Sequence, residues 1–366
     1  MRTRPVSRPL TRTPTTLMGA ILVATMSIGF AHGERATAGG AVPAGGDDDQ
    51  KGTIWVVNRD RGELAVFDVR TGDVVATVPV GAGAHDIAIS ERASKAYITA
   101  EAANAVTAVD TRTLATKSIP VAPLPHHIEA GHDGRTVYVS LASHTPAQGT
   151  PAVAVIDTRT SKVVYKATST NPAARSHGLF ASPDDDTLYV AHDTGDEVTG
   201  VDAGSGAIDF SVAPIVRAEE AVATRFGNEL WVSSRGDGTV KRIDLDTHTI
   251  TGSVDVGVQP ESVMLTPSER TLVVSLRGTP ATLVFVDPVK LVVIGTVQIG
   301  GPETFGDLAV MTGDGRYVYA TFDAGPTGTG GVAVVDVRRR KLIKTWKYPG
   351  TGRPHGIAYS PKKARF

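Results

Sequence analysis

Short runs of alternating apolar and polar residues recur along most of the chain and predict β-strands, with almost no helical periodicity. The clearest signal is a four-residue phrase that ends in aspartate and returns every 42 to 49 residues. Its seven copies end at Asp68, Asp110, Asp157, Asp202, Asp244, Asp287 and Asp336. A repeat of this length is typical of the blades of a β-propeller. The pattern therefore predicts an all-β fold, a seven-bladed β-propeller of four-stranded antiparallel blades.

The two ends of the repeat region are expected to build one blade together. Residues 54–58 match the second strand of a repeat, whereas residues 354–360 match its first, innermost strand. Pairing of these N- and C-terminal strands would close the ring by hydrogen bonds and leave no major strand edge open. Loss of the final strand should then destabilise the whole domain.

The start of the chain has the composition of a secretory signal. Four arginines among the first 12 residues precede an apolar run at 17–31, which is short for a membrane span and is followed by small residues. We predict a signal peptide over residues 1–38, a flexible polar lead-in over 39–52 and the propeller over 53–366. This organisation predicts a periplasmic or secreted protein without a membrane span.

Charge and cysteine content narrow the classes of partner and of metal site. The net charge is −1 and the pI is about 6.8, so no basic surface argues for nucleic acid. The chain has no cysteine, which excludes disulfides and thiolate ligands. Any metal must therefore be held by histidine, carboxylate or carbonyl groups.

Several second-strand phrases carry a family resemblance. The segments 96–99, 137–140, 188–191 and 318–321, each followed by a valine-rich strand that ends in aspartate, resemble the YVTN-type bacterial β-propeller repeat, as do the turns at 182–185 and 312–315. The resemblance covers about residues 53–362 and implies the propeller fold. Similar proteins include periplasmic binding proteins, surface-layer modules, lactonases and electron-transfer subunits, so the function must be argued from site residues.

When the repeats are aligned on the turn before the innermost strand, one position in each repeat is expected to face the central opening. Four of the chain's ten histidines fall in this column. Its members are His85, His126, His177, Glu219, Glu261, Glu303 and His355. Neutral imidazoles beside carboxylates are ligands for zinc, copper, iron or nickel, and we expect a transition metal (Cu, Fe or Zn) here. Two alternatives are open within the alignment, because Asp307 can replace Glu303 and His127 can replace His126.

A second column follows the second strand of each repeat on the same face. It contains Arg59, Glu101, Ala142, Asp193, Arg235, Arg277 and Asp323, with His192 beside it. One interpretation is a ligand-binding set of Arg59, His192, Arg235 and Arg277, in which the three arginines clamp an anion through bidentate hydrogen bonds. The other is that these arginines pair with neighbouring carboxylates around the rim.

The residues support three functional hypotheses and assign no catalytic residue. The leading one is an exported propeller whose His/Glu-lined axial pocket binds a transition metal, with metal-dependent catalysis as one outcome. The second is a non-catalytic binding or interaction scaffold, and the third is a metal-free lactonase-like or lyase-like enzyme that uses a His/Glu pair as acid and base. A simpler interpretation is that these side chains cap backbone amides or line a wet channel. We expect a monomer that meets a small-molecule ligand or a partner protein at the axial mouth.

Overall fold

The computed structural model describes residues 51–142, 152–166, 174–325, 328–363 and 366. Among these residues, 28 strands form seven antiparallel four-stranded sheets, the blades of a closed ring. The predicted seven-bladed, all-β propeller is therefore confirmed. The predicted signal peptide and all but the last two residues of the predicted lead-in lie outside the described residues. Within the described part of the chain, no helix is long and apolar enough to cross a membrane.

The blades follow one another in chain order, and each runs outward from the axis. Blade 1 contains β1 (Thr53–Asn58), β2 (Glu63–Asp68), β3 (Val74–Pro79) and, innermost, β28 (Pro354–Ser360). Blade 2 contains β4 (Ala84–Ser90), β5 (Lys95–Ala100), β6 (Ala105–Asp110) and β7 (Thr116–Pro120). Blade 3 contains β8 (Pro125–Ala130), β9 (Thr136–Leu141), β10 (Val153–Asp157) and β11 (Val163–Lys166). Blade 4 contains β12 (Ser176–Ala181), β13 (Thr187–His192), β14 (Glu197–Asp202) and β15 (Ile208–Val212).

Blades 5 to 7 complete the ring. Blade 5 contains β16 (Ala218–Ala223), β17 (Glu229–Ser234), β18 (Thr239–Asp244) and β19 (Thr249–Asp255). Blade 6 contains β20 (Pro260–Leu265), β21 (Leu272–Leu276), β22 (Thr282–Asp287) and β23 (Val292–Gln298). Blade 7 contains β24 (Phe305–Met311), β25 (Tyr317–Asp323), β26 (Gly331–Asp336) and β27 (Lys341–Lys347). The innermost strands of successive blades contact one another around the ring. Residues distant in sequence therefore meet at the axis.

The ring closes between the two ends of the repeat region, as the sequence predicts. Strand β28 pairs antiparallel with β1, with Ser360 opposite Thr53 and Ile357 opposite Val56. Apolar side chains of blades 7 and 1 then pack together, and the ring of Trp346 stacks on that of Phe67 with centroids 5.7 Å apart. Closure thus joins hydrogen bonding with burial of large aromatic surfaces.

The repeated aspartate that reveals the blades has a local structural role. In blade 1, Asp68 Oδ1 accepts hydrogen bonds from the backbone amides of Arg70 at 2.9 Å and Thr71 at 3.1 Å. The equivalent aspartates cap the same turn in the other blades, at Asp110, Asp157, Asp202, Asp244, Asp287 and Asp336. Aspartate recurs here because its short carboxylate satisfies the amides of a tight turn.

Candidate functional site

A β-bulge in every innermost strand brings two consecutive residues to the central region. In β4, Ala84 pairs with Ala100 and Ile87 with Ile98, so the first strand carries one extra residue between these pairs. The same shift occurs in the other six innermost strands. We call the first bulge position the first ring, made of His85, His126, His177, Glu219, Glu261, Asp307 and His355. The next position is the second ring, made of Asp86, His127, Gly178, Glu220, Ser262, Leu308 and Gly356.

The structure of blade 7 shows that Asp307, and not Glu303, belongs to the first ring. Its bulge lies between Gly306 and Ala309, which makes Asp307 the counterpart of His85. Asp307 is 2% exposed, whereas Glu303 lies in the preceding turn with an exposed side chain. The connection before β24, residues 299–304, is longer than the one before β4, residues 80–83, and its extra residues carry Glu303 out of the first ring.

Five histidine rings contact one another in an arc around the axis. His85 lies between His355 and His126, with ring centroids 4.0 Å from each. His126 lies 4.5 Å from His177, and His127 of the second ring lies 4.7 Å from both of them. The structure thus brings together all four histidines predicted for this column and also His127.

Carboxylates approach the histidines of the first ring. Glu101 contacts His126 Nδ1 and lies 3.9 Å from His85 Nε2. Glu219 Oε2 lies 2.9 Å from His177 Nε2. Asp307 Oδ1 lies 3.3 Å from His355 Nε2. The last two contacts are close without being aligned as hydrogen bonds.

Many donor and acceptor atoms of the first ring are buried without a hydrogen-bond partner among the described residues. The imidazole atoms are His85 Nδ1, His126 Nε2, His177 Nδ1, and Nδ1 and Nε2 of His355, and the carboxylate atoms are Glu219 Oε2, Glu261 Oε2 and Asp307 Oδ1. An unsatisfied buried polar atom costs about 1–3 kcal/mol. These atoms are therefore available to bind an ion, a ligand or water.

Burial and mutual repulsion keep the first-ring imidazoles neutral at pH 7. Burial lowers the pKa of His85 well below its usual value, and the neighbouring His126 and His355 lower it further. Burial also lowers the pKa of His126 and of His355, and it lowers that of His177 to about 3. A neutral imidazole has a free lone pair, which is the form that binds a metal.

His127 in the second ring has the opposite electrostatic environment. Its Nδ1 lies 2.9 Å from Glu220 Oε1 and 3.1 Å from Asp86 Oδ2. Burial by itself lowers the pKa of His127, but the two carboxylates outweigh burial and raise that pKa well above its usual value. The two rings therefore place neutral imidazoles beside one charged imidazole. Asp86 and Glu220 were not among the site residues predicted from the sequence, although pairs of adjacent His, Asp or Glu residues at 85–86, 126–127 and 219–220 were a usable signal.

The predicted ligand-binding arginines pair with carboxylates. Arg235 Nη1 lies 2.9 Å from Glu219 Oε1 and 3.5 Å from Glu261 Oε2. Arg277 lies 3.5 Å from Glu261, and Arg59 hydrogen-bonds Glu101 at 2.8 Å. These contacts match the rim-pairing alternative of the sequence analysis, and direct anion binding by these arginines stays a prediction.

His192, the fourth predicted ligand-binding residue, is completely buried at the end of β13. Its Nε2 lies 3.0 Å from Thr199 Oγ1 on the neighbouring strand β14. Burial lowers the pKa of His192 to about 4. These contacts lie within blade 4.

Hydroxyl groups on the second strands hold the bulges in place. Thr99 Oγ1 accepts a hydrogen bond from the Asp86 amide at 3.0 Å and donates one to the His126 carbonyl of the next blade at 2.7 Å. Ser233 makes the equivalent pair of contacts with the Glu220 amide and the Glu261 carbonyl. Each hydroxyl therefore links one blade's bulge to the first ring of its neighbour.

Within the described part of the chain, three overlapping groups of side chains could hold a metal ion. In each group, one ligand atom per residue lies within 4.8 Å of the others. The groups are His85, His126 and His127; His127, His177 and Glu220; and His177, Glu219 and Glu261. All are imidazole and carboxylate sets, as the absence of cysteine requires.

Neither a family model nor a curated protein sequence matches this chain, so membership of the YVTN-type repeat family stays a prediction. Solved structures share its fold. A functionally unknown protein from Desulfotomaculum acetoxidans gives a TM-score of 0.69 at 12% identity, covering 85% of this chain and 100% of that one. The periplasmic gluconolactonase of Pseudomonas aeruginosa gives 0.64 at 16% identity, covering 85% and 99%.

A dihydro-heme d1 dehydrogenase, NirN, in complex with DHE, gives a TM-score of 0.59 at 15% identity, covering 84% of this chain and 75% of that one. At these identities the likeness establishes the propeller fold and leaves the activity of this chain to its own residues.

Proposed function

We propose that this chain is an exported β-propeller that binds one transition-metal ion, copper, iron or zinc, at the first ring. The observation that carries the proposal is the arc of four first-ring histidines, each in contact with the next and each with a buried, unpartnered ring nitrogen. Burial keeps these imidazoles neutral, so one ring nitrogen of each carries no proton. The lone pair of that nitrogen can then bind a metal. A cation here would satisfy several of these atoms, since His85 and His126, and also His177, Glu219 and Glu261, belong to groups whose ligand atoms lie within 4.8 Å of one another.

The ligands in this proposal are His85, His126, His177 and His355, with Glu219, Glu261 and Asp307 as further ligands or as groups that orient the imidazoles. Glu101 belongs to the orienting groups, because it contacts His126 Nδ1 and leaves Nε2 of the same ring unpartnered. A carboxylate on one ring nitrogen fixes the tautomer and makes the other nitrogen a better ligand. A metal in such a site polarises a ligand oxygen or lowers the pKa of a bound water.

The test is elemental analysis of protein purified without an affinity tag, before and after chelation. Wild type should hold about one equivalent of metal, and His85→Ala/His177→Ala should hold less than about a tenth of that, since removing ligands removes most of the affinity. The proposal is lost if folded wild type holds no more transition metal than this double variant. Turnover of lactones by chelator-treated wild type would then favour the metal-free, lactonase-like alternative.

The matched control is His132→Ala/His248→Ala, which removes two histidines that face other surroundings. His132 contacts Asp185 and has a half-exposed side chain, and His248 stacks on Phe210. This variant should keep the metal content of wild type. Parallel loss of metal from both double variants would contradict a site at the first ring.

Export is supported by the arginine-rich start and the apolar run of the leader. The fold is also that of the solved gluconolactonase described as periplasmic. Expression of the full chain in a bacterial host should give a shortened protein in the periplasm or medium, with its N-terminus near Gly39. Recovery of only the full-length chain from the cytosol would contradict export.

A further inference from the structure

Positive charge is concentrated in the last part of the chain. Residues 337–366 contain ten lysines and arginines and no aspartate or glutamate, although the whole chain has a net charge of −1. A strong charge asymmetry within one sequence is a sign of an interaction surface for an anionic partner.

The structure places much of this charge on the face of the ring opposite the first ring, which we call the far face. Each innermost strand starts at the first ring, so the turns after the first and third strands of a blade lie on the far face. The turn at 337–340 in blade 7 and the start of β27 are there. With cations of the equivalent turns in the two neighbouring blades they form a set that we call the basic edge: Arg70, Lys290, Arg338, Arg339, Arg340 and Lys341.

Contacts across the blade boundaries hold the basic edge together. The Arg340 side chain lies across β23 of blade 6, because a Cβ atom on Gly295 would be 2.8 Å from its Cδ. On the other side, Trp346 of β27 lies against Gly72 in the turn that carries Arg70. The basic edge therefore spans blades 6, 7 and 1.

Carboxylates neutralise only part of the basic edge. Arg339 lies 3.6 Å from Asp336, and Lys290 lies 3.4 Å from Asp287. The other two cations of the blade 7 turn and Lys341 are exposed, and no described carboxylate oxygen lies within 4.0 Å of them. Three aspartates at 184–186 lie on the far face of blade 4, three blades away. The far face thus has a positive side and a negative side.

The two most exposed large apolar side chains among the described residues also lie on the far face. Phe226, in the turn between β16 and β17, and Val289, in the turn between β22 and β23, are each 82% exposed. Each is next to a cation in the sequence, Arg225 and Lys290 respectively. Protruding apolar side chains beside cations suit the interface of an anionic membrane, which accommodates both.

We propose that the basic edge docks on the surface of a bilayer that contains anionic phospholipids, with Val289 entering the interfacial region. Each lysine or arginine near such a surface contributes about a fivefold gain in affinity. A nucleic acid would also attract the cations, but its phosphate backbone offers no apolar region for Val289. In this orientation the acidic side of the far face tilts away from the lipid, and the first ring faces the opposite direction.

The experiment is co-sedimentation of tag-free wild type with vesicles of phosphatidylcholine alone or with about 30% phosphatidylglycerol. The mixed vesicles should bind the protein at least about tenfold more tightly, and raising the salt from about 0.1 M to about 0.5 M should weaken binding. Inorganic phosphate should displace the protein no better than sodium chloride of the same ionic strength. Chelator-treated protein should bind equally well, because the proposed metal site lies on the other face.

Variants locate the contact on the ring. Arg338→Gln/Lys341→Gln should weaken binding to the mixed vesicles about 25-fold, since two cations are lost. The matched control is Arg159→Gln/Lys162→Gln, which removes two exposed cations from the equivalent turn of blade 3 and should stay within about twofold of wild type. Val289→Trp should shift its emission to shorter wavelength on the mixed vesicles, whereas Val258→Trp, at an exposed site on the first-ring face, should not.

Each arm has an outcome that overturns the proposal. Equal binding to neutral and mixed vesicles, equal losses in the two double variants, or an unchanged emission of Val289→Trp would each do so. Specific displacement by inorganic phosphate would show a site for a free anion instead, and tighter binding of a short DNA duplex would show a nucleic-acid surface. If Arg338→Gln/Lys341→Gln is less stable to heat than wild type, Arg338→Gln/Arg340→Gln removes the same charge with the same expected loss.

Discussion

Thr99 and His126 are joined across a blade boundary by a 2.7 Å hydrogen bond from the threonine hydroxyl to the histidine carbonyl. The same hydroxyl accepts the Asp86 amide at 3.0 Å and so fixes the bulge in its own blade. One buried side chain thereby sets the backbone of residues that supply both rings. The geometry of both rings therefore depends on such hydroxyls as well as on the ring residues.

Replacing Thr99 with valine should test this positioning role. Thr99→Val keeps the shape but leaves a buried amide and a buried carbonyl without their partner, so unfolding free energy should fall by about 2 kcal/mol. Metal affinity should fall as well, because His85 and His126 lie next to the two bonded groups. Urea unfolding and metal titration measure the two effects.

The matched control for Thr99 is Thr107. Its buried hydroxyl donates to the Val80 carbonyl at 2.7 Å, away from the bulges. Thr107→Val should cost similar stability while leaving metal affinity unchanged. If both valine variants bind metal like wild type, Thr99 is a purely structural residue.

Removing the C-terminal strand should unfold the whole ring. Truncation after Gly350 deletes β28, exposes the inner edge of β1 and removes Ile357 from the interface of blades 7 and 1. The protein should then lack a cooperative thermal transition. Truncation after Ser360 keeps every paired residue of β28 and should retain the transition. A stable, cooperative protein ending at Gly350 would show that ring closure is dispensable.

The fold was predictable because its causes are local and repeated. Seven aspartates cap the same turn, and their spacing alone gives the number of blades. Closure followed from the order of strand phrases at the two ends. These features need no knowledge of packing between distant residues.

The site was only partly predictable because it depends on backbone shifts and long-range contacts. His85, His126, His177 and His355 could be aligned from the turn before each innermost strand. The bulge, which turns Asp86 and Glu220 towards His127, has no signature in alternation because it breaks alternation. The longer turn in blade 7 likewise hid the position of Asp307 from a simple alignment.

Arg235 should be the most important arginine for stability at the mouth. Glu219 is completely buried, and Arg235 Nη1 lies 2.9 Å from its Oε1. Arg235→Met would leave this carboxylate without its closest cation, and loss of one partner of a buried ion pair costs about 3–5 kcal/mol. Chemical denaturation should show a loss of this order.

Arg217 gives the matched control for Arg235. It lies 3.9 Å from the same Glu219 oxygen but has a half-exposed side chain. Arg217→Met should therefore change stability by less than about 1 kcal/mol. Adding Glu219→Gln to Arg235→Met should restore part of the loss, since the unpaired charge is gone. Equal effects of the two arginine variants would contradict a dominant role for Arg235.

His177 and His192 should each reduce the stability of the metal-free protein as the pH falls from about 6.5 towards 4. The pKa of His177 is lowered to about 3 and that of His192 to about 4, so below about 6.5 the unfolded chain binds protons that these folded residues do not. At pH 5 each such histidine should contribute a loss of about 2 kcal/mol. His127, whose pKa is raised well above its usual value, works in the opposite direction, and so do the buried carboxyl groups of Glu129 and Asp307, whose pKa values are raised to about 8. Urea unfolding of wild type and His192→Gln at pH 7, 6 and 5 measures the contribution of His192, whose replacement should reduce the loss of stability between pH 7 and 5 by about 2 kcal/mol. An equal change in stability from pH 7 to 5 in wild type and His192→Gln would contradict a lowered pKa for His192.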